Sequence, residues 1–281
     1  MAGIVDMGAP AWPHKMLMVG CGNMGGAMLR GWLASGFAPA RFTVIDPGLA
    51  EAPAGVRLRR DMLEADSAAA PFDAVLLGIK PQLFDQVAPS LAGLAGPDTV
   101  VLSILAGVQL ASLSARLPQA RAVVRIMPNL AAAIGKSPVV LAGQDVSSSL
   151  AEEITALMAP LGLPEWLVDE GLFDAVTALV GSGPAFVYRF IAALSQGGAE
   201  LGLSREQAGR MALAMVEGAA ALAALSPVEP VELARRVTSP GGTTAAGIKV
   251  LDDGDTLARL VAATLRAARD RGAEMAADAR G

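Results

Sequence analysis

Histidine and cysteine are almost missing from this chain. Its 281 residues hold one of each, His14 and Cys21. A single cysteine forms no intrachain disulfide and no Cys-rich metal site, so no metal is expected. The one histidine lies in the N-terminal lead, where a solvated tail residue is expected, and this leaves no His-based triad or dyad for hydrolysis. Aromatic residues make up 4%. No basic block exists and the net charge is −5, which argues against nucleic acid as a partner. Small molecules bearing phosphate remain open, because single sites can be locally positive. The first dozen residues lack the charged and apolar regions of a signal peptide and read as a loose lead. The most apolar long segment, Met211 to Leu225, is broken by Glu217 and is shorter than the ~20 residues a bilayer requires. It reads as a buried helix, with no membrane partner, and a cytoplasmic protein is the expectation.

What is abundant is apolar residues, at 53%, many of them alanine. The length favours two domains. The first half alternates between short β-branched runs and helical stretches. Lys15–Val19, Phe42–Ile45, Asp73–Ile79, Thr99–Leu105, Ala122–Ile126 and Ser137–Ala142 read as strands, and Asn23–Ser35 as a helix closed by Gly36. That alternation predicts a parallel sheet with helical crossovers. From about Glu170 the strand signals stop. Pro184 opens a helix toward Leu201. Ser204 and Gln207 form a capping box for the next, Glu229–Val237 is short, and Asp255 starts the last. The expected architecture is an α/β domain over residues 1–169 and an all-α domain over 170–281.

The first strand runs into Gly20-Cys21-Gly22-Asn23-Met24-Gly25 and then a helix. This is G-x-G-x-x-G in a strand–turn–helix setting, which reads as the dinucleotide-binding turn of a Rossmann-type domain, with an ordinary glycine-rich turn as the competing reading. Gly20 makes the turn, Gly22 admits a pyrophosphate and Gly25 lets helix and strand approach. Cys21 is read as a small residue filling the turn, with redox sensitivity as the other reading. Asp46 ends the second strand, where an acid would hold the ribose hydroxyls of NAD. As a turn residue before Pro47-Gly48 it has an equally good local role. Arg57, Arg59 and Arg60 follow and could accept the extra phosphate of NADP. Ligands of open α/β sheets bind beyond the carboxyl ends of strands. Gly78-Ile79-Lys80-Pro81, Leu105-Ala106-Gly107 and Arg125-Ile126-Met127-Pro128-Asn129 end three of them. These are candidates for cofactor contact, Asn129 included. A plain strand-to-loop transition is the competing reading for each.

A second loop, Ser239-Pro240-Gly241-Gly242-Thr243-Thr244, precedes a helix. Ser239 is expected as its N-cap and Pro240 as its first residue. Two glycines in an opening turn are poor helix formers, which points to a need for bare backbone there.

Taken together, G-C-G-N-M-G, I-K-P, L-A-G-V, R-I-M-P-N, D-A-V-T-A-L-V-G-S-G-P-A-F and S-P-G-G-T-T resemble, in order, the pyrroline-5-carboxylate reductase family. The resemblance spans nearly the whole chain, and the last two motifs are the most diagnostic. It implies a Rossmann domain followed by a helical dimerisation domain, with self-association as a homodimer that in the family often builds up to a decamer. It implies hydride transfer from NADPH or NADH to C5 of a cyclic imine, giving L-proline. Carried over by motif, Cys21–Met24, Gly78–Pro81 and Leu105–Gly107 match cofactor contacts. Ser239, Gly241, Gly242, Thr243 and Thr244 match the substrate loop, and Glu170 a position near the substrate. Within that reading, helix N–H groups hold the substrate carboxylate. The Thr244 hydroxyl bonds the ring nitrogen as the catalytic contact. Phe186, Leu130-Ala131 and Asp46 depart from the family's usual residues. β-Hydroxyacid dehydrogenases share the plan but carry a lysine on the first long helix of the second domain, where this chain has Arg189. Related imine reductases, and a dinucleotide sensor without turnover, are the other readings; a sensor would have no use for the substrate loop.

Overall fold

The computed structural model describes residues 10–61 and 71–278. Most of the expected N-terminal lead lies outside the described residues. The chain divides into two compact units: one runs to Gly181 and includes the stretch from Arg269 on, and the other is Ser182–Ala268. The helical signals from Glu170 to Gly181 therefore group with the sheet rather than with the later helices.

The first unit carries β1 (Met16–Val19), α1 (Asn23–Ala34), β2 (Phe42–Ile45), β3 (Arg57–Arg59), β4 (Ala74–Leu77), α2 (Phe84–Leu91), β5 (Val100–Ser103), α3 (Leu110–Arg116), β6 (Ala122–Met127), β7 (Ser137–Gln144), α4 (Ser148–Met158), β8 (Gly162–Trp166) and α5 (Phe173–Val176). The strands form one sheet in the order β3-β2-β1-β4-β5-β6-β7-β8. β1, β2, β4 and β5 are buried along their whole length, as a sheet covered on both faces requires. Successive residues feed opposite cores. Met16, Met18 and Leu76 pack with Met28, Leu29 and Trp32 of α1 and Ile154 and Leu157 of α4. Leu17, Val75, Leu77 and Val101 pack with Phe84 and Leu91 of α2 and Leu113 of α3.

The sheet departs from the sequence expectation in three places. β7 runs antiparallel to β6. Residues 128–136 join them, and a parallel return takes about a dozen residues or more. β3 and β8 were not expected as strands, and they are the two edges. β3 is Arg57-Leu58-Arg59, and β8 contains Gly162 and Pro164. Charge and proline suit an edge and hide the apolar alternation that marks an inner strand.

The second unit carries α6 (Gly183–Glu200), α7 (Arg205–Leu225), α8 (Pro230–Arg236), α9 (Thr243–Asp252) and the first part of α10 (Thr256–Asp278). The capping box forms as expected: the N–H of Gln207 donates to Ser204 Oγ at 3.2 Å, and the Gln207 side chain accepts from the Ser204 N–H. α7 is not buried within the chain. Only Ala208 and Ala212 are shielded, while Leu222 and Leu225 are 64% and 86% exposed. α6 has no buried residue at all.

α1 is held where Gly31 meets the turn after β6. A Cβ on Gly31 would clash with the Ala132 carbonyl oxygen and lie 2.7 Å from Leu161. Beside it, Trp32 Nε1 donates to the Leu157 carbonyl at 2.8 Å. Gly31→Ala is expected to lower stability by about 1–3 kcal/mol through overpacking, read as a lower denaturant midpoint with an unchanged slope.

Candidate active site

β1 ends at Gly20, whose φ of +88° lies in the left-handed region. Its N–H donates to the Ile45 carbonyl, and the N–H of Gly78 donates to the Val19 carbonyl, both at 2.8 Å. A Cβ on Gly20 would sit 2.7 Å from the Gly78 oxygen, and one on Gly78 would sit 2.9 Å from the Gly20 oxygen. The ends of β1 and β4 thus touch backbone to backbone. Gly25 lies equally close, with 2.9 Å from its built Cβ to the Gly20 oxygen. Gly22 differs: a Cβ there would meet nothing within 4 Å. It is the N-cap of α1, with no side-chain cap and no acid in the first turn. Its helix N–H groups are therefore free for an anion. A cleft of about 880 Å3 opens at this point, lined by Cys21, Gly22, Asn23, Arg30, Leu49 and Glu51 among others. Tight turn, open approach and close helix packing fall on the three glycines as the dinucleotide reading requires. The residues present suit a dinucleotide pyrophosphate.

Asp46 closes this turn. One carboxylate oxygen accepts from the Cys21 N–H at 2.8 Å; the other accepts from the N–H groups of Gly48 at 2.8 Å and Leu49 at 3.2 Å. The turn role anticipated for it is present, and it reaches back to the glycine loop as well. The Cys21 thiol is buried. Burial first, then the Asp46 charge, push its pKa up, with Arg30 opposing. It stays a neutral thiol at physiological pH and fills the turn. Arg60 donates to the carbonyls of Leu49 and Ala50 and braces the loop beyond Asp46.

Met24 lies in the first turn of α1. Ile79 and Pro81 are part-exposed, and Lys80 is exposed before a short 3-10 turn at Pro81–Leu83. Leu105 is buried, Ala106 exposed, and Gly107 has φ +76°. Asn129 is buried, and its carboxamide is used within the fold: Oδ1 accepts from the Ala131 N–H at 2.9 Å and Nδ2 donates to the Val180 carbonyl at 3.2 Å. Glu170 Oε1 accepts from Arg125 Nη1 at 2.6 Å and from the Leu110 N–H at 2.8 Å.

In the helical unit, the loop Ser239–Thr244 corrects one expectation. The N-cap of α9 is Gly242, not Ser239, and Pro240 precedes the helix. Ser239–Gly242 is a turn of its own, closed by the Gly242 N–H to the Ser239 carbonyl at 3.0 Å. Gly241 has φ +70°, as the third residue of a proline-led type II turn demands. A Cβ on Gly242 would lie 2.5 Å from Ser239 Oγ. Gly241 therefore has a local reason to be glycine, whereas the exposed Ser239 hydroxyl can turn away from a side chain at Gly242. α9 starts without a side-chain cap or an acid in its first turn, with Thr243 and Thr244 exposed there.

Residues 170–275 match the family described as pyrroline-5-carboxylate reductase dimerisation, and residues 15–107 match one described as NADP oxidoreductase coenzyme F420-dependent. A Pseudomonas aeruginosa pyrroline-5-carboxylate reductase is 40% identical over 93% of this chain and 97% of its own length. One from Pisum sativum is 34% identical over 91% and 94%. The solved pyrroline-5-carboxylate reductase of Coxiella burnetii is 30% identical, with TM-score 0.84 over 93% of this chain and 98% of that one. This chain belongs to the pyrroline-5-carboxylate reductase family.

Sequence reading missed two parts of the reductase's first unit. Arg30 lines the cleft, four residues beyond Gly26 and seven beyond Asn23. That spacing puts the three on one helix face, and it was legible. The Arg125–Glu170 pair had no local signal, because 45 residues separate its members.

The glycines separate folding from binding. Gly22→Ala is expected to leave the melting temperature within about a degree or two while raising the cofactor KM at least ~10-fold, since its methyl enters only the anion's space. Gly25→Ala is expected to destabilise the fold itself by about 1–3 kcal/mol. Calorimetry beside steady-state kinetics checks both.

Proposed function

We infer that this chain reduces 1-pyrroline-5-carboxylate to L-proline, with the hydride taken from NADH or NADPH. The observation that carries this is the 40% identity to the Pseudomonas aeruginosa reductase over 97% of that protein. The open Gly22 approach at the start of α1 supports it.

The chain's own residues divide the work. The Gly22–Gly25 turn and the α1 N-terminus bind the pyrophosphate, with Gly78–Pro81 and Leu105–Gly107 along the rest of the cofactor. When bound, the nicotinamide supplies the hydride that adds to C5. The uncapped first turn of α9, at Gly242–Thr244, holds the substrate carboxylate with backbone N–H groups and positive helix potential. The Thr244 hydroxyl hydrogen-bonds the ring nitrogen. A protonated imine is already electrophilic, so no strong protein acid is needed. A chain without a second histidine is suited to that chemistry. Positioning supplies the rate, at about 7 kcal/mol or more in favourable systems. The enzyme is taken to be cytoplasmic.

The chain self-associates, and we take the unit to be a homodimer that can assemble further, to a decamer. The exposed apolar faces of α6 and α7 support this. By length and composition alone, two helical stretches in this region could also cross a membrane. The match of 170–275 to a dimerisation family favours a second copy as their cover.

Three measurements test the reading. Nicotinamide absorbance with pyrroline-5-carboxylate is expected to fall with NADH, NADPH or both, and the ratio reports which donor the protein prefers. Cofactor binding without oxidation would overturn the assignment. Thr244→Ala is expected to lose about 10- to 100-fold in kcat/KM; unchanged turnover removes Thr244 from the mechanism. Light scattering of the native protein is expected to give a dimer or a multiple of it, and a monomer at working concentration contradicts the assembly.

A further inference from the structure

Arg125 is the one charged residue that is fully buried among those described. Its guanidinium carbon lies 3.9 Å from the centre of the Phe173 ring. Nη1 meets Glu170 Oε1, and Nε has no hydrogen-bond partner among the described residues. A buried cation is tolerated only when it is paired. Here the pairing does a second thing, because the same Glu170 oxygen accepts the N–H of Leu110, the first residue of α3. α3 has no side-chain cap of its own. A carboxylate 60 residues later in the chain fills that place.

The segment between β5 and α3 is thus tied at both ends. At its start, the Leu105 N–H donates to Ser103 Oγ at 3.3 Å. At its end, Leu110 is tied to Glu170. Leu105 and Val108 are anchored in the core. Ala106 is exposed, and Gly107 is in the left-handed region. β5 is next to β4, whose end touches the glycine turn of β1. The backbone of 105–107 therefore lies one strand further along the same carboxyl-end crevice. It falls on the side away from β2, where the second half of an extended dinucleotide lies.

We propose that Glu170 is a positioning residue for the nicotinamide half of the cofactor. Its carboxylate, held by buried Arg125, fixes the Leu105–Gly107 backbone through the Leu110 N–H. The inference rests on the reductase reading. It assigns Glu170 an action through the loop, in place of direct contact with the substrate. Hydride transfer is sensitive to placement, and a misplacement of about 1 Å can cost on the order of 100-fold.

The test uses Glu170→Ala and Glu170→Gln in the full chain. The readouts are kcat, the KM of cofactor and of pyrroline-5-carboxylate, and the Kd of ADP-ribose (2′-phosphorylated if the preferred donor is NADPH). ADP-ribose carries the adenosine half without the nicotinamide. Glu170→Ala is expected to lower kcat by about 10- to 100-fold while ADP-ribose affinity stays within about 2-fold. Gln keeps an acceptor for the Leu110 N–H, so Glu170→Gln is expected to recover at least tenfold over Ala, with an unchanged substrate KM. Wild-type kcat in Glu170→Ala overturns the proposal. So does equal loss of ADP-ribose affinity, which would mark a general structural role. If Glu170→Ala does not fold, Glu170→Gln decides alone: a substrate KM raised tenfold or more would mark direct contact and overturn it. An inactive wild type would overturn the functional reading instead, since no variant comparison would then be possible.

Discussion

The contact between the ends of β1 and β4 is the constraint on which the rest of the first unit depends. Gly20 and Gly78 each stand where a side chain would strike the other's carbonyl oxygen. Two neighbouring parallel strands can end this close only as bare backbone. Their approach sets the direction in which the chain leaves β1, and so where α1 starts. The helix then presents its uncapped N-terminus to the crevice, with Gly22 open and Gly25 pressed against the turn. Asp46 secures the arrangement from β2 by taking the Cys21 N–H. Packing and binding are one problem here: the same few backbone atoms that close the sheet also define the anion site.

The helical unit shows the opposite economy. Its sequence is rich in alanine and leucine, yet α6 and α7 shield almost nothing within one chain. Apolar surface of this extent is costly in water, at about 25 cal/mol per Å2. It is stable in solution when another surface covers it. The apolar composition that looked like a core inside the chain is left exposed within one chain.

Local chemistry was readable where neighbours in sequence are also neighbours in space. The glycine turn, the inner strands, the Ser204–Gln207 box and the Pro184 helix start all depend on residues within a turn of one another. The type II turn at Ser239–Gly242 was equally local, but it was read as a helix cap. Pro-Gly fits both until the φ of Gly241 and the position of Gly242 decide between them. Edge strands β3 and β8 were not readable, because an edge strand's residues need face only one neighbour and here include arginine, glycine and proline. Asn129 shows the same limit on the side of function: a strand-end polar residue looked available for a ligand, and the fold uses its carboxamide internally.

By itself, then, the sequence determined the periodicities, caps and turns, and with them an α/β half carrying a dinucleotide loop, followed by a helical half. Those signals arise from short-range sterics and hydrogen bonding, which act through the residues next along the chain. The tertiary structure alone decided that β7 runs antiparallel and that Asp46, besides its local turn, reaches back to the Cys21 N–H. It alone decided that Glu170 reaches Arg125 and Leu110, and that α7 is left exposed within the chain. Each of these depends on which distant segments are brought into contact and how much surface they leave uncovered. No window of neighbouring residues contains that information.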